Sequence, residues 1–151
     1  MISRYEQFSF LISGIYRSIQ KIEREEMIRY GFKGAFAQYL AVMLRFPEGI
    51  TAAQLGEACE KDKAAVSRAV ADMQEKGLLI RESVGDTMYR AKLYLTAAGA
   101  KAAEFVEKRA LEAVTAAGIS DSEREAFYQT LEKIAGNLQE ISVKGIPRHG
   151  A

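Results

Sequence analysis

Tryptophan is absent from the 151-residue chain, and cysteine and histidine occur once each. A lone thiol, Cys59, cannot close an intrachain disulfide, which fits a reducing compartment. One cysteine and one histidine are too few for a structural zinc site, so no metal is expected. His149 lies beside Pro147 and Gly150 near the C-terminal end, so no Ser-His or Cys-His couple is available. The glycines form no phosphate-binding loop. With no catalytic set assembled, the sequence reads as a non-enzyme that needs no cofactor. Long apolar runs are also missing. The longest, Tyr39 to Leu44, is far too short to span a bilayer. The opening residues do not read as a secretory leader, because Arg17 and Gln20 interrupt the apolar stretch. A soluble, cytoplasmic protein is the expectation.

Charge of one sign is scarce as well: 21 Lys and Arg stand against 20 Asp and Glu, a net charge of +1. Bulk charge therefore does not argue for a polyanionic partner. Its distribution says slightly more, since residues 61–92 hold seven cations against five anions and residues 101–143 hold five against eight. The apolar fraction, 48%, is enough for one folded core.

What is present is helical punctuation. Ser3 and Glu6 have capping-box spacing, and Tyr5, Phe8, Ile12, Ile15, Ile19 and Ile22 follow as one stripe along a long helix that ends at Gly31. A second helix runs through Ala35 to Leu44, apolar on most sides, with Pro47 and Gly49 as its stop. Thr51 and Gln54 open a third, short helix that carries Leu55 and Cys59 on its inner face. In that position Cys59 reads as a small core hydrophobe rather than a redox sensor. Asp62 caps a fourth helix, Lys63 to Lys76, which stops at Gly77 and turns Ala65 or Val66, Ala69, Val70 and Met73 inward.

The period then changes to alternation. Leu78 to Val84 reads as a strand, Gly85 to Thr87 as a turn, and Met88 to Leu95 as the return strand. Tyr89, Ala91, Leu93 and Leu95 fall on one side of the return strand and Arg90, Lys92 and Tyr94 on the other. Thr96 caps an alanine-rich helix that reaches about Ala116, and Ser120 with Glu123 opens a last helix striped by Phe127, Leu131, Ile134, Leu138 and Ile141. The fold class is therefore mainly α with a small β-hairpin (α+β).

Two short helices joined by a tight turn, the second running into a hairpin, make a winged helix-turn-helix. The second helix must offer a face of small and polar groups to enter a major groove. Ala64 and Ser67 are small, while Lys63 and Arg68 reach base edges or phosphates. Lys61 precedes the helix, where a positive dipole end also favours phosphate. Arg81, Arg90 and Lys92 place cations on the hairpin for the adjacent backbone or minor groove. Double-stranded DNA is the expected partner. The competing reading is a protein-interaction module that keeps the winged helix without sequence-specific DNA binding; Lys63 and Arg68 speak against it.

The stretch from Leu55 to Arg81 resembles the core of the MarR family of bacterial regulators. Asp62-Lys63 matches its helix cap, Val66-Ser67-Arg68 its recognition helix, Glu75-Lys76-Gly77-Leu78 its helix end, and Arg81 the start of its wing. Leu93 to Thr96 is similar to the family's exit from the wing. One departure stands out. The family shows Asp-x-Arg at the wing tip, whereas here Asp86 is followed two places on by Met88. Counted back from Leu95-Thr96, the wing arginine falls on Tyr89, with Arg90 next to it; we expect Arg90 to take its role and Tyr89 to pack inward.

The resemblance implies a homodimer built by the terminal helices, which the two unpartnered stripes also suggest. The expected layout is a dimerisation helix at 1–31 with further dimerisation helices at 97–143, a DNA-binding lobe at 32–96 and a flexible tail at 144–151. The expected function is a repressor released from a palindromic operator by a small aromatic or amphipathic effector. That effector would bind between the dimer helices and the lobes, with Tyr16, Tyr30, Phe36 and Tyr39 as lining candidates.

Overall fold

A computed structural model of the chain describes residues 3–83 and 91–148. The elements run α1 (Arg4–Tyr30), α2 (Phe36–Leu44), β1 (Ile50–Thr51), α3 (Ala52–Ala58), α4 (Lys63–Glu75), β2 (Leu79–Glu82), β3 (Lys92–Leu95), α5 (Ala97–Thr115) and α6 (Asp121–Lys144). The chain divides into two compact units, Met1–Glu112 and Ala113–Ala151.

The first unit is a winged helix-turn-helix lobe with α1 leading into it. Ser3 and Glu6 close the expected capping box on α1, and Gly31 ends it at φ 107°, a left-handed conformation that costs glycine nothing. The Phe32 N–H returns to the Met27 carbonyl at 3.1 Å, which turns the chain sharply toward α2. Only the last turns of α1 enter the core. Met27 is buried, whereas Tyr5, Phe10 and Tyr16 are 76%, 71% and 57% exposed.

α2 is the centre of the lobe. Phe36, Ala37, Tyr39, Leu40 and Met43 are all buried on it, so its apolar residues have partners on most sides. Around it close Ile50, Leu55, Val66, Val70, Met73, Leu78 and Leu93, with Ala102, Ala103 and Val106 from α5. Each fully buried Leu or Ile contributes about 1.5–3 kcal/mol over an exposed one. Among the described residues Glu26 is the one buried charge; its carboxylate accepts from Arg29 at 2.9 Å and from Arg109 of α5 at 3.2 Å, which pins α1 to α5.

The sheet has three strands in the order β1-β3-β2, all antiparallel. β1 was not expected. It is two residues long, too short for alternation to show, and it pairs Ile50 with Leu93 and Thr51 with Lys92. Its Thr51 also closes the α3 capping box with Gln54, so one residue ends a strand and starts a helix. β2 opposes β3 with Leu79 facing Leu95 and Arg81 facing Leu93. The strand spans within the described residues are shorter than expected, and the turn, Tyr89 and Arg90 lie outside those residues.

The helix pair α3–α4 packs closely because Gly56 lacks a side chain: a Cβ there would stand 3.0 Å from Val66 and 3.1 Å from the Lys61 carbonyl. The turn between them forces Glu60 to φ 53°, the one positive φ on a non-glycine among the described residues. A second close approach sits where α4, β2 and α5 meet. The Thr96 hydroxyl donates to the Gly77 carbonyl at 2.6 Å and accepts from the Gly99 N–H at 3.1 Å. The Thr96 N–H reaches the Leu78 carbonyl at 3.1 Å. A Cβ on Gly99 would lie 2.0 Å from the Leu78 oxygen.

In the second unit, Ser120 and Glu123 form the expected capping box of α6. The Arg124 guanidinium bonds Asp121 at 3.1 Å in the first turn. No residue of α6 is buried, and Phe127 and Leu138 are 45% and 53% exposed.

Two substitutions test these constraints by urea unfolding with the m-value monitored. Gly99→Ala drives a methyl into backbone and is expected to cost about 3 kcal/mol or more. Glu60→Gly relieves a left-handed residue worth about 1–2 kcal/mol, offset by the extra chain entropy of glycine, for a net gain of up to about 1 kcal/mol. A neutral Gly99→Ala, or a destabilising Glu60→Gly, contradicts this account.

Candidate nucleic-acid interface

α4 has two unlike faces. Val66, Val70 and Met73 are buried against the lobe, whereas Lys63, Ala64, Ser67, Arg68 and Ala71 are exposed. The outward face carries no large apolar residue, so it is slim enough for a groove and chemically suited to one. Asp62 accepts the Ala65 N–H at 2.7 Å and fixes where the helix begins. That carboxylate satisfies one of the N–H groups left open at the helix N-terminus, as the expected cap does.

Lys61, Lys63 and Ser67 share an open cleft of about 430 Å³ with Arg81 of β2. Its floor includes Gly56, Val66 and Leu93. The cleft lies between the helix pair and the sheet, so three cations from separate elements converge on one side. Arg68 and Ala64 stand on the exposed side of the same helix and do not line this cleft. Lys92 is not brought to it. Neighbouring strand residues point to opposite faces, and Leu93 points into the cleft. Lys92 instead stands opposite Glu82, with its ammonium 3.5 Å from the Glu48 carbonyl.

One pair of charges at α4 had no local signal in the sequence. Asp72 accepts from the Lys33 ammonium at 2.5 Å, across 39 positions, and Lys76 lies 3.8 Å from its other oxygen. The Lys33 hydrogen bond is the main cause that holds the Asp72 carboxyl below the usual aspartate range, with the charges of Lys33 and Lys76 adding to it.

The four aromatic residues expected to line an effector pocket do not converge within the chain. Phe36 and Tyr39 are core residues, 2% and 4% exposed, because α2 is enclosed on most sides. Tyr39 borders a small cleft of about 140 Å³ beside Glu23, Gln38 and Lys61, and burial raises its phenol pKa. Tyr30 packs on Phe105 at 4.9 Å and Phe32 at 5.9 Å. Tyr16 is exposed, and 14 residues of helix separate it from Tyr30, about 21 Å at the helical rise.

Cys59 is 2% exposed in the core, and burial raises its thiol pKa against a smaller lowering by Lys61. Gln38 donates to its carbonyl at 3.4 Å. A protonated, enclosed thiol is a poor nucleophile. Native protein should therefore react with an aromatic disulfide at least a hundredfold more slowly than protein in urea, on the order expected for a core thiol. Equal rates would mean that Cys59 is accessible.

No described helix is long and apolar enough to cross a membrane, and no described cluster of His, Cys, Asp or Glu could hold a metal. Residues 30–87 match the sequence model of the MarR family. No curated protein sequence matches the chain significantly. Among solved structures, a MarR-family transcriptional regulator from Silicibacter pomeroyi is 27% identical, with a TM-score of 0.70 over 90% of this chain and 92% of that one. A MarR transcriptional regulator from Methanosarcina mazei is 22% identical, with a TM-score of 0.72 over 90% of this chain and 99% of that one. The Staphylococcus aureus MepR–DNA complex shares the fold at 19% identity, with a TM-score of 0.64 over 87% and 97%.

Proposed function

We propose that the chain is a MarR-family transcription regulator, a homodimeric repressor of a palindromic operator released by a small aromatic or amphipathic effector; the match of residues 30–87 to the family's sequence model and the likeness to a MarR-family regulator at 27% identity support this reading. The family is one of DNA-binding regulators, not of enzymes. One observation carries the sequence-specific reading: the outward face of α4 combines Ala64, Ser67 and Arg68 with a cleft flanked by Lys61, Lys63 and Arg81. Arg68 reads bases, because a guanidinium inside the helix can bond both acceptors of a guanine edge. Lys61, Lys63 and Arg81 engage phosphates and set the register. Arg90 takes the minor-groove role of the family's wing arginine, drawn by the negative potential of a narrow groove.

Dimerisation accounts for the exposed stripes of α1 and α6. Tyr5, Phe8, Ile12 and Ile15 on α1, like Phe127 and Leu138 on α6, would each leave apolar surface in water if the chain stood alone. Two lobes related by a twofold axis then match half-sites about 34–36 Å apart. Tyr16 and Tyr30 are the aromatic candidates left accessible on α1 for an effector seated against it; Phe36 and Tyr39 contribute from behind, as wall rather than contact.

Selection of bound duplexes from a random pool, followed by footprinting, tests the reading directly. Arg68→Ala should cost about 1–3 kcal/mol on the selected site and flatten its preferences. The salt slope for the dimer should be about −5 to −7 if each subunit neutralises three or four phosphates. Equal loss on selected and random duplexes would make Arg68 a phosphate contact. Failure to enrich any duplex at low salt would favour a protein-interaction module. Light scattering checks the assembly: wild type should be a dimer at micromolar concentration, and Leu138→Asp should shift it toward monomer.

A further inference from the structure

Among the described residues, two ion pairs join different parts of the lobe: Glu26 with Arg109, and Lys33 with Asp72. The second engages the recognition helix itself. We propose that Asp72, held by Lys33, is a positioning residue that sets the roll of α4 and so aims Arg68 for sequence readout; this rests on the DNA-recognition reading above.

The placement of each group carries the inference. Asp72 follows Arg68 by four residues, about 40° further round the helix at 100° per residue. Val66, Val70 and Met73 form the inward face, and Lys63 and Ser67 flank it toward the cleft. On the same helical wheel Asp72 lies on the opposite flank, about 120° from the centre of the inward face. The inward face is wholly aliphatic and thioether, and such contacts are non-directional. A salt bridge on one flank supplies the direction that they lack.

Its other end is fixed. Lys33 lies two residues beyond Gly31, and its carbonyl accepts the Phe36 N–H at 3.0 Å as α2 begins. The preceding Phe32 N–H is tied to Met27. Lys33 therefore projects from a hydrogen-bonded corner between α1 and α2, not from a free loop. Asp72 keeps its side chain only 24% exposed, and Lys76 approaches its second oxygen at 3.8 Å, so the carboxylate is neutralised where it stands. A carboxylate one turn from a base-reading arginine opposes phosphate binding, which makes it unfavourable for affinity alone. Bidentate readout, by contrast, tolerates little angular error.

Duplex affinities separate these roles, with two probes of equal length: a site selected by the wild-type protein and its scrambled counterpart. Asp72→Asn should lower the ratio of selected to scrambled affinity about tenfold, with scrambled binding unchanged or about two- to threefold tighter as a negative charge is lost. Lys33→Asp alone should lower the ratio as much. The double exchange Lys33→Asp with Asp72→Lys should restore it to within about threefold of wild type, because the pair is remade with its charges reversed. Thermal melts run alongside. A parallel fall in both affinities that tracks a lower Tm makes the pair merely structural and overturns the proposal. An unchanged ratio in Asp72→Asn, with both duplexes weakened equally by Lys33→Asp, makes Lys33 a phosphate contact and overturns it as well. A wild-type protein with no preference between the probes overturns the DNA-recognition reading and this proposal with it, whereas a preference that survives Asp72→Asn overturns the positioning role alone.

Discussion

The lobe depends on a backbone approach that only glycine permits. Where Gly99 lies over the Leu78 carbonyl, the end of α4, the first residues of the sheet and the start of α5 are held within one hydrogen-bonded knot. Thr96 supplies the bonds: its hydroxyl satisfies Gly77, and its N–H takes the Leu78 carbonyl. Because Gly77 ends the recognition helix, the knot fixes that helix at its C-terminal end. Gly56 does the corresponding work near the N-terminal end, where it lets α3 come within contact of Val66. A helix held at both ends by close packing can present side chains to a rigid partner with little loss of rotational freedom on binding.

Electrostatics follow from that mechanical frame and not from bulk charge. The chain is almost neutral, so affinity for a polyanion has to come from where cations are placed. Lys61 arrives with the α3–α4 turn, Lys63 with the first turn of α4 and Arg81 with β2, and the fold brings the three to one cleft. Asp62 works in the other direction. It caps the helix and cancels part of the dipole that would otherwise attract phosphate, so definition of the helix start is obtained at some cost in attraction. Lys92 shows how sharply the pleat discriminates, since one residue from Leu93 it belongs to the other face of the sheet.

Local chemistry was legible in the sequence and long-range chemistry was not. The capping boxes at Ser3, Thr51 and Ser120, the Asp62 cap and the Gly31 stop each depend on residues three or four apart, and all were readable as spacing. The helix-turn-helix and its outward residues followed from the same signals. β1 escaped because two residues cannot display a period, and its identity is set by β3, more than forty positions away. The Lys33–Asp72 pair escaped for a similar reason: neither residue has a spacing that names its partner. The burial of Phe36 and Tyr39 was not legible, because an aromatic residue on an all-round apolar helix has the same sequence signature whether it lines a pocket or fills a core.

The distribution of exposed apolar surface separates what the lobe does from what the long helices do. Inside the first unit the large apolar side chains of α2, α3 and α4 are enclosed in one core. Along most of α1 the stripe faces outward, and α6 encloses none of its own residues. Helices of 27 and 24 residues with such stripes are longer than a lobe of this size needs for its own core. α1 nevertheless enters that core through Met27 and is tied by Glu26 to Arg109, so its C-terminal turns are packed as part of the lobe. From Gly31 the same chain reaches Lys33, and from Lys33 it reaches α4. The C-terminal end of α1 thus meets α4 through one hydrogen-bonded corner, while the outer stripe of α1 takes no part in the packing of the lobe.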